Sequence, residues 1–371
     1  MSGLDAHNIP FELYLNLIFL QVRVNNSKMF WFNVDTGLET SIFDSEQAKA
    51  LGLELVEKSH VPVPGGMIEL AFANDVSLSL AGIELSSQRV QTLPLIPFAP
   101  ILGRPIHGIV GHDLFKRFVV DIDYARQVIN LYNPINYQYS GNGERIAVTI
   151  ENDEPFMQAK IIPAGHAPIN AKLKIDTGST DALGLNGSFV QNVQLINSNQ
   201  KVLPQPGFAL GGITENYVTR IAGLQIGGLF IQYPIAGYSK DLSRTGDAGT
   251  VGGEIFHRFR VIFDYARGQM ILEKNKYFNE PYTYDASGLF LVAEGANLDT
   301  PKVLRVTENS PATVAGLQEG DVILQIDNQP TKKFTLDQIR QMFKQDGRIY
   351  RLTIERNGKT SETTIELRKL I

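Results

Sequence analysis

The feature that most constrains this chain is an internal repeat with one fixed spacing. The segment GIVGHDLFKRFVVDIDYARQ begins at Gly108 and aligns with GTVGGEIFHRFRVIFDYARG, which begins at Gly249, so the spacing is 249 − 108 = 141 residues. The identities at this spacing are Phe115/Phe256, Arg117/Arg258, Asp123/Asp264, Tyr124/Tyr265 and Arg126/Arg267. So many identities in one register indicate two tandem copies of one structural unit.

The same spacing relates two Asp-Thr-Gly turns, which begin at Asp35 and Asp176. Each turn follows a short apolar run, MFWFNV in the first copy and LKI in the second. Two carboxyl groups held face to face share one proton, because like charges at short range cannot both ionise. The ionised group can then take a proton from water while the protonated group polarises a carbonyl oxygen. Asp35 and Asp176 are therefore the candidate catalytic pair.

Both copies have the pattern of an all-β unit. Short runs rich in β-branched and aromatic residues, such as IFLQVRV, SLSLAGIEL and RVIFDYARGQMILEK, are separated by turn residues. The best helical stretch of the first copy is SEQAKALGLEL, for which Ser45 is the expected N-cap. The segment NPINYQYSGNGE, near residue 140, reads as a connector. The sequence predicts a mainly β fold with a first lobe over 8–138 and a second over 139–278.

The pattern changes beyond residue 280. A polar linker, NEPYTYDAS, leads into SPATVAGLQEGDVILQIDNQP and then a helical stretch, TLDQIRQMF, with Thr335 as its expected cap. The final run, YRLTIERNGKTSETTIEL, has an Asn-Gly pair typical of a tight hairpin turn. These features predict a separate small domain over 284–371.

Composition excludes several classes of function. The 371 residues carry a net charge of −5, so there is no electrostatic footprint for nucleic acid. The chain has no cysteine, which excludes disulfides and cysteine-ligated metals, and its six histidines lack ligand spacing. The apolar stretch FELYLNLIFLQVRV is too short and too polar to span a bilayer, and MSGLDAHNIP does not resemble a secretory signal.

The repeated segments resemble a retropepsin-like aspartic protease of the pepsin/retropepsin clan, with two tandem β-barrel lobes fused in one chain. In that family each Asp-Thr-Gly turn is followed by an apolar-apolar-Gly element. Here these elements end at Gly111 and Gly252, and the spacings 111 − 35 = 76 and 252 − 176 = 76 are equal. The resemblance covers roughly residues 10 to 275. It implies that Asp35 and Asp176 activate water for peptide hydrolysis without a metal or an organic cofactor.

The resemblance also assigns roles around the pair. Support of the active-site loops is implied for Thr36, Gly37, Thr177, Gly178, Ser179, Gly111 and Gly252. The candidates for glycine-rich flaps over the cleft are Gly65, Gly66, Gly211 and Gly212. The Ser179 hydroxyl could hydrogen-bond Asp176 and favour its charged form, whereas Leu38 in the first lobe could not do so for Asp35. We therefore expect Asp176 to ionise more readily and Asp35 to carry the shared proton.

The C-terminal segment resembles a PDZ domain of the bacterial protease-associated kind, on the motif SPATVAGLQEGDVILQIDNQP. Such domains bind an extended peptide, often a C-terminus, by adding a strand to a sheet edge. The resemblance places the peptide-binding loop at Gly288, Leu289, Phe290 and Leu291. Phe290 stands where that loop usually has a second glycine, which argues against capture of a free carboxylate.

Together these features predict a bacterial aspartic endopeptidase whose PDZ domain binds a peptide tail or a partner. The alternative is a catalytically inactive, protease-like protein that binds peptides or serves as a scaffold. The expected partners are a peptide or protein substrate and a peptide-tail ligand, with no nucleic acid and no membrane span. The two lobes could pair within one chain or exchange between two chains in a dimer. Relatives of this architecture are usually exported, which implies the periplasm or cell envelope and a leader absent from this sequence.

Overall fold

The computed structural model describes residues 5–63, 66–209, 212–240 and 246–371. The chain forms two compact units. The first comprises Met1–Leu95, His107–Gln200 and Gly207–Pro281, and the second comprises Ile96–Ile106, Lys201–Pro206 and Tyr282–Ile371. The fold is mainly β with several curled sheets, as expected from the sequence. Both Asp-Thr-Gly turns lie in the first unit; the lobe boundaries at 8, 138, 139, 278 and 284 stay predictions.

The first lobe forms a curved sheet with the strand order β2-β3-β4-β9-β5-β8-β7-β6. Its strands, with three that join another sheet, are β1 (Ala6–Pro10), β2 (Glu12–Tyr14), β3 (Leu17–Val24), β4 (Met29–Val34), β5 (Ile42–Asp44), β6 (Val56–Val63), β7 (Gly66–Leu80), β8 (Ile83–Leu93), β9 (Gly108–Val110), β10 (Val119–Asp123) and β11 (Val128–Tyr132). Its helices are α1 (Ser45–Ala50) and α3 (His112–Phe115), while α2 (Ala99–Leu102) belongs to the second unit. The N-cap of α1 is Asp44 rather than the expected Ser45, because the Asp44 carboxylate accepts the N–H groups of Glu46 and Gln47.

The second lobe repeats this arrangement with the strand order β17-β18-β21-β16-β22-β15-β14-β19-β20, and β13 pairs with β14. Its strands, with three that join another sheet, are β12 (Glu144–Ala147), β13 (Thr149–Glu151), β14 (Glu154–Ile162), β15 (Ile169–Ile175), β16 (Leu183–Leu185), β17 (Val202–Ala209), β18 (Gly212–Arg220), β19 (Gly223–Ile226), β20 (Leu229–Gln232), β21 (Ile235–Ser239), β22 (Gly249–Val251), β23 (Phe259–Asp264) and β24 (Gln269–Lys274). Its helices are α4 (Gly187–Asn192) and α5 (Gly253–Phe256).

A further sheet joins the two lobes, with the strand order β1-β11-β10-β23-β24-β12. At its centre β10 of the first lobe pairs antiparallel with β23 of the second, and Asp121 lies directly opposite Ile262. These two residues are 262 − 121 = 141 positions apart, so they are equivalent in the repeat. The pseudo-two-fold axis of the first unit therefore passes between them.

The second unit is built around the C-terminal sheet, with the order β25-β26-β27-β29-β30 and β28 paired with β27. Its strands are β25 (Leu289–Glu294), β26 (Thr300–Val306), β27 (Val322–Ile326), β28 (Gln329–Pro330), β29 (Ile349–Arg356) and β30 (Lys359–Glu366), and its helices include α6 (Pro311–Val314) and α7 (Leu336–Met342). The predicted cap of α7 is confirmed, because Thr335 and Gln338 form a reciprocal capping box. Buried side chains such as Leu291, Ile323 and Leu352 form the core.

None of the helices in the described part of the chain is long and apolar enough to cross a membrane.

Candidate active site

Both Asp-Thr-Gly turns are placed by the same arrangement of strands. In the first lobe β4 runs parallel to β9, and β5 pairs with the other edge of β9. In the second lobe β15, β22 and β16 are arranged in the same way. The Asp35 N–H donates to the Val110 carbonyl at 2.9 Å, and the Asp176 N–H donates to the Val251 carbonyl at 3.0 Å. Each aspartate is thus bonded to the last residue of a short strand, β9 or β22, and the glycine of the apolar-apolar-Gly element follows that strand.

The two turns are joined by a reciprocal set of hydrogen bonds between their threonines. The Thr36 hydroxyl accepts the Thr177 N–H at 3.0 Å and donates to the Ile175 carbonyl at 2.8 Å. The Thr177 hydroxyl accepts the Thr36 N–H at 3.0 Å and donates to the Val34 carbonyl at 2.9 Å. Both threonines are buried. Since each hydroxyl both accepts and donates, the two turns are fixed relative to each other.

The two carboxyl groups face each other beyond these threonines. Within each turn the glycine N–H donates to the aspartate, at 2.7 Å from Gly37 to Asp35 and at 3.0 Å from Gly178 to Asp176. A side chain at Gly37 would place its Cβ 2.8 Å from the carboxyl carbon of Asp176, and one at Gly178 would lie closer still to the Asp35 carboxyl. Only glycine permits this approach.

The pKa of Asp35 is set by its burial and by the carboxyl group that faces it. Burial raises the pKa of Asp35 well above its ordinary value, and the negative charge of Asp176 and a hydrogen bond with that carboxyl raise it further. The Gly37 N–H and the Lys174 ammonium act in the opposite direction. Asp35 therefore holds its proton to higher pH than an ordinary aspartate does.

Ser179 does not act in the way that the sequence suggested. Among the described residues no hydrogen bond joins its hydroxyl to Asp176, and Ser179 instead donates its backbone N–H to the Asp176 carbonyl at 3.3 Å. The raised pKa of Asp35 therefore comes from its burial and from the neighbouring Asp176 carboxyl, and Lys174 partly offsets it. The hydroxyl that Leu38 lacks plays no part, because Ser179 does not use it in the second lobe.

The residue that follows each apolar-apolar-Gly element donates a backbone hydrogen bond to the loop after the Asp-Thr-Gly turn of the same lobe. The His112 N–H donates to the Leu38 carbonyl at 2.9 Å, and the Gly253 N–H donates to the Ser179 carbonyl at 2.8 Å. Gly111 has no room for a side chain, since a Cβ there would lie 2.9 Å from the Leu38 carbonyl oxygen. Position 38 and position 179 thus support the turns through their backbone, whatever side chain they carry.

Comparison with known families agrees with this geometry. Residues 20–114 match the family model described as an aspartyl protease, and residues 302–356 match the model described as a PDZ domain. The chain carries an aspartyl protease domain and a C-terminal PDZ domain. No curated protein matches the chain. The protease match contains Asp35 and Gly111, while the second lobe is linked to it by the repeat.

Lys174 is a residue of the candidate site that the sequence pattern did not reveal. It lies on β15 two residues before Asp176 and is buried. Its ammonium donates to Glu154 at 2.9 Å and to the Gly37 carbonyl of the opposite lobe at 3.4 Å. The equivalent residue of the first lobe is Asn33, which instead donates to the Ile18 carbonyl at 3.0 Å. A lysine inside the run AKLKI, adjacent to the turn, was the available signal.

Tyr265 also lies near Asp35. The repeat includes this tyrosine, but its sequence position did not indicate a place at the site. Its ring stacks on His112 with a centroid distance of 5.9 Å and on Phe115 at 5.7 Å. Burial raises the pKa of Tyr265, and the charge of Asp35 raises it further. An un-ionised phenol therefore lies within electrostatic reach of Asp35.

Two of the four predicted flap glycines lie at the start of strands. Gly66 begins β7, which pairs antiparallel with β6, and Gly212 begins β18, which follows β17. Gly65 and Gly211 lie outside the described residues. The flap role of these hairpins stays a prediction.

The predicted peptide-binding loop leads into the edge strand of the PDZ domain. Gly288 has a left-handed φ of 79° and precedes β25, in which Leu289 and Leu291 are buried. Phe290 is half-buried, with the Arg340 guanidinium of α7 at 6.0 Å from its ring.

No group of three histidine or acidic side chains in the described ranges could hold a metal ion.

Proposed function

We propose that this protein is an aspartic endopeptidase in which Asp35 and Asp176 hydrolyse a peptide bond together. The observation that carries the proposal is the reciprocal bonding of Thr36 and Thr177, which holds two aspartates from different lobes in mutual contact. A single turn aspartate would need no such brace. The proposal also rests on the aspartyl protease match over residues 20–114.

The proposed reaction uses one proton shared by the two carboxyl groups. Ionised Asp176 takes a proton from water as the water oxygen attacks the peptide carbonyl, and protonated Asp35 donates its proton to the carbonyl oxygen. The product is a neutral tetrahedral diol, with the proton now on Asp176. Transfer of that proton to the peptide nitrogen, with return of a diol proton to Asp35, breaks the C–N bond and restores the starting protonation state.

The test is cleavage of an unfolded protein substrate between about pH 3 and pH 8, since the pair must be singly protonated to act. We expect new peptide termini, identified by mass spectrometry, and a bell-shaped dependence of rate on pH. A chelator should leave the rate unchanged if water is activated by carboxylates alone. Absence of cleavage at every pH by a correctly folded chain would favour the inactive peptide-binding alternative.

Replacing the Lys174–Glu154 pair should move the pH profile of cleavage in a known direction. Lys174 favours the ionised form of Asp35, so the double variant Lys174→Met/Glu154→Gln should raise the pKa of Asp35 further. The proton is then retained to higher pH, and the basic limb of the profile should shift upward. Exchanging both residues avoids leaving Glu154 as an unpaired, half-buried charge.

The same strand offers a matched control for this experiment. Lys172 forms an ion pair with Glu151 at 2.6 Å, but the two side chains are 29% and 50% exposed. Lys172→Met/Glu151→Gln should leave the profile in place, because solvent screens this pair from the catalytic carboxyls. An equal shift in both variants would mean that the loss of Lys174 is not what moves the pKa of Asp35.

We further propose that the PDZ domain binds peptide, as its family match and the position of β25 at the end of the sheet order suggest. The groove for such a ligand would lie between β25 and α7, which pack against each other. Gly288, Leu289, Phe290 and Leu291 would line one side of it.

A further inference from the structure

The segment Ile96–Ile106 interrupts the first lobe in sequence but belongs to the second unit. It forms a 3-10 turn at Ile96–Phe98, followed by α2, and ends with Gly103 in the left-handed conformation at φ 75°. Its sequence, IPFAPILGRPI, is apolar and contains three prolines, which lack an N–H group. We call this segment the proline-rich turn.

The proline-rich turn contacts both β25 and α7 of the PDZ domain. Helix α2 packs against β25, the strand at the end of the sheet order. Arg340 of α7 donates from one guanidinium nitrogen to two carbonyls, that of Ile101 at 2.8 Å and that of Leu291 in β25 at 2.7 Å. One side chain of the groove helix thus joins the turn to the edge strand. Both Ile101 and Arg340 are half-buried.

The loop that would receive a free C-terminal carboxylate is already satisfied from within the domain. The Asp285 carboxylate accepts the N–H groups of Ser287 at 3.2 Å and Gly288 at 2.5 Å, and it also accepts the Ser287 hydroxyl at 2.6 Å. The Leu289 N–H donates to the Ser287 hydroxyl oxygen at 3.0 Å. A second carboxylate would meet the charge of Asp285 and find these donors occupied.

We propose that the resident ligand of the PDZ groove is the proline-rich turn of the same chain, recognised through a backbone carbonyl by Arg340. The groove is thereby specific for an internal apolar turn rather than for a free peptide C-terminus. This inference rests on the proposed peptide-binding role of the domain. An outside peptide reaches the groove only by displacing the turn.

Thiol labelling can test this arrangement in the full chain, which has no cysteine of its own. Ile101→Cys, made in an Asp35→Asn background to prevent self-cleavage, should react slowly with a maleimide reagent. Adding Arg340→Ala should raise the labelling rate about tenfold or more, because the charge-assisted bond to the turn is lost. The matched control is Arg348→Ala, which removes an exposed arginine of the same domain that pairs with Asp327 at 3.3 Å.

An unchanged rate with Arg340→Ala would overturn the proposal. An equal rise with Arg348→Ala would do the same, since it would indicate general loosening of the domain. Because this readout does not depend on peptide cleavage, its failure and the failure of the proposed peptidase activity are distinguishable.

A competition experiment needs no change at Arg340. A synthetic peptide of residues 95–107 with both ends blocked, added in excess to the Ile101→Cys chain, should accelerate labelling. An unrelated peptide that ends in a free carboxylate should have no effect. Acceleration by the free-carboxylate peptide alone would show that the groove is a C-terminus receptor and that the assignment is wrong.

Discussion

Asparagine in place of Asp35 should lower the rate of peptide cleavage at least about a thousandfold, because a positioned acid or base contributes a factor of that order. Asparagine has the shape of aspartate but can neither hold nor release the shared proton. Its amide oxygen can still accept the Gly37 N–H, which lies at 2.7 Å from Asp35. The turn should therefore persist while the chemistry is lost. The measurement is kcat/KM on a peptide identified from the cleavage of unfolded protein, with circular dichroism to verify the fold.

Asp176→Asn should cause a loss of similar size, and the double variant should lose little more, since two groups that act as a unit are not additive. Asp123→Asn is the matched control. Asp123 also recurs in the repeat, but its carboxylate accepts the Arg126 N–H at 3.0 Å in a turn. It should retain nearly full activity. Retention of more than about a tenth of the activity by Asp35→Asn would contradict the dyad, given the size of acid–base effects.

The repeat register carried most of what the sequence could predict. A spacing of 141 residues related the two turns, and the structure joins those turns by hydrogen bonds across the same interval, from Thr36 to Thr177. Local patterns also predicted the elements that hold these turns, because short apolar strands and their terminal glycines are readable in the sequence. The mainly β fold follows from the same runs.

The features that the sequence could not predict depend on contacts between distant residues. Lys174 interacts with the Gly37 carbonyl of the other lobe only after the lobes have paired, and a lysine in a strand otherwise indicates an exposed face. Likewise, nothing local connects Ile101 to Arg340, which lie 239 positions apart in sequence. Ser179 was misjudged for the opposite reason, because a hydroxyl beside a carboxylate suggests a bond that the turn geometry does not make.

The ion pair at the pseudo-two-fold axis is also a contact between distant residues that the sequence could not predict. Breaking it should lower the free energy of unfolding of the first unit. Asp121 is fully buried and accepts two hydrogen bonds from Arg260, at 2.9 Å from Nε and 2.7 Å from Nη2. Asp121→Ala should lower the free energy of unfolding by about 3 kcal/mol, the low end for breaking a buried pair. The low end applies because the Arg260 side chain is 37% exposed and also contacts Glu273 at 3.2 Å. Urea unfolding followed by tryptophan fluorescence and circular dichroism measures this loss.

The repeat itself supplies the control for this prediction. The equivalents of Asp121 and Arg260 in the opposite lobes are Ile262 and Val119, both fully buried. The double variant Asp121→Ile/Arg260→Val should therefore regain most of the lost stability, because well-packed apolar residues often replace a buried ion pair without cost. If the single and double variants were equally destabilised, packing around Asp121 rather than its charge would hold the lobes together. The double variant could also recover its stability but form dimers on size exclusion. In a pair of two first lobes, two Asp121 carboxylates would face each other at the axis, and this variant removes that repulsion. Dimers would therefore mean that the ion pair makes each first lobe pair with a second lobe.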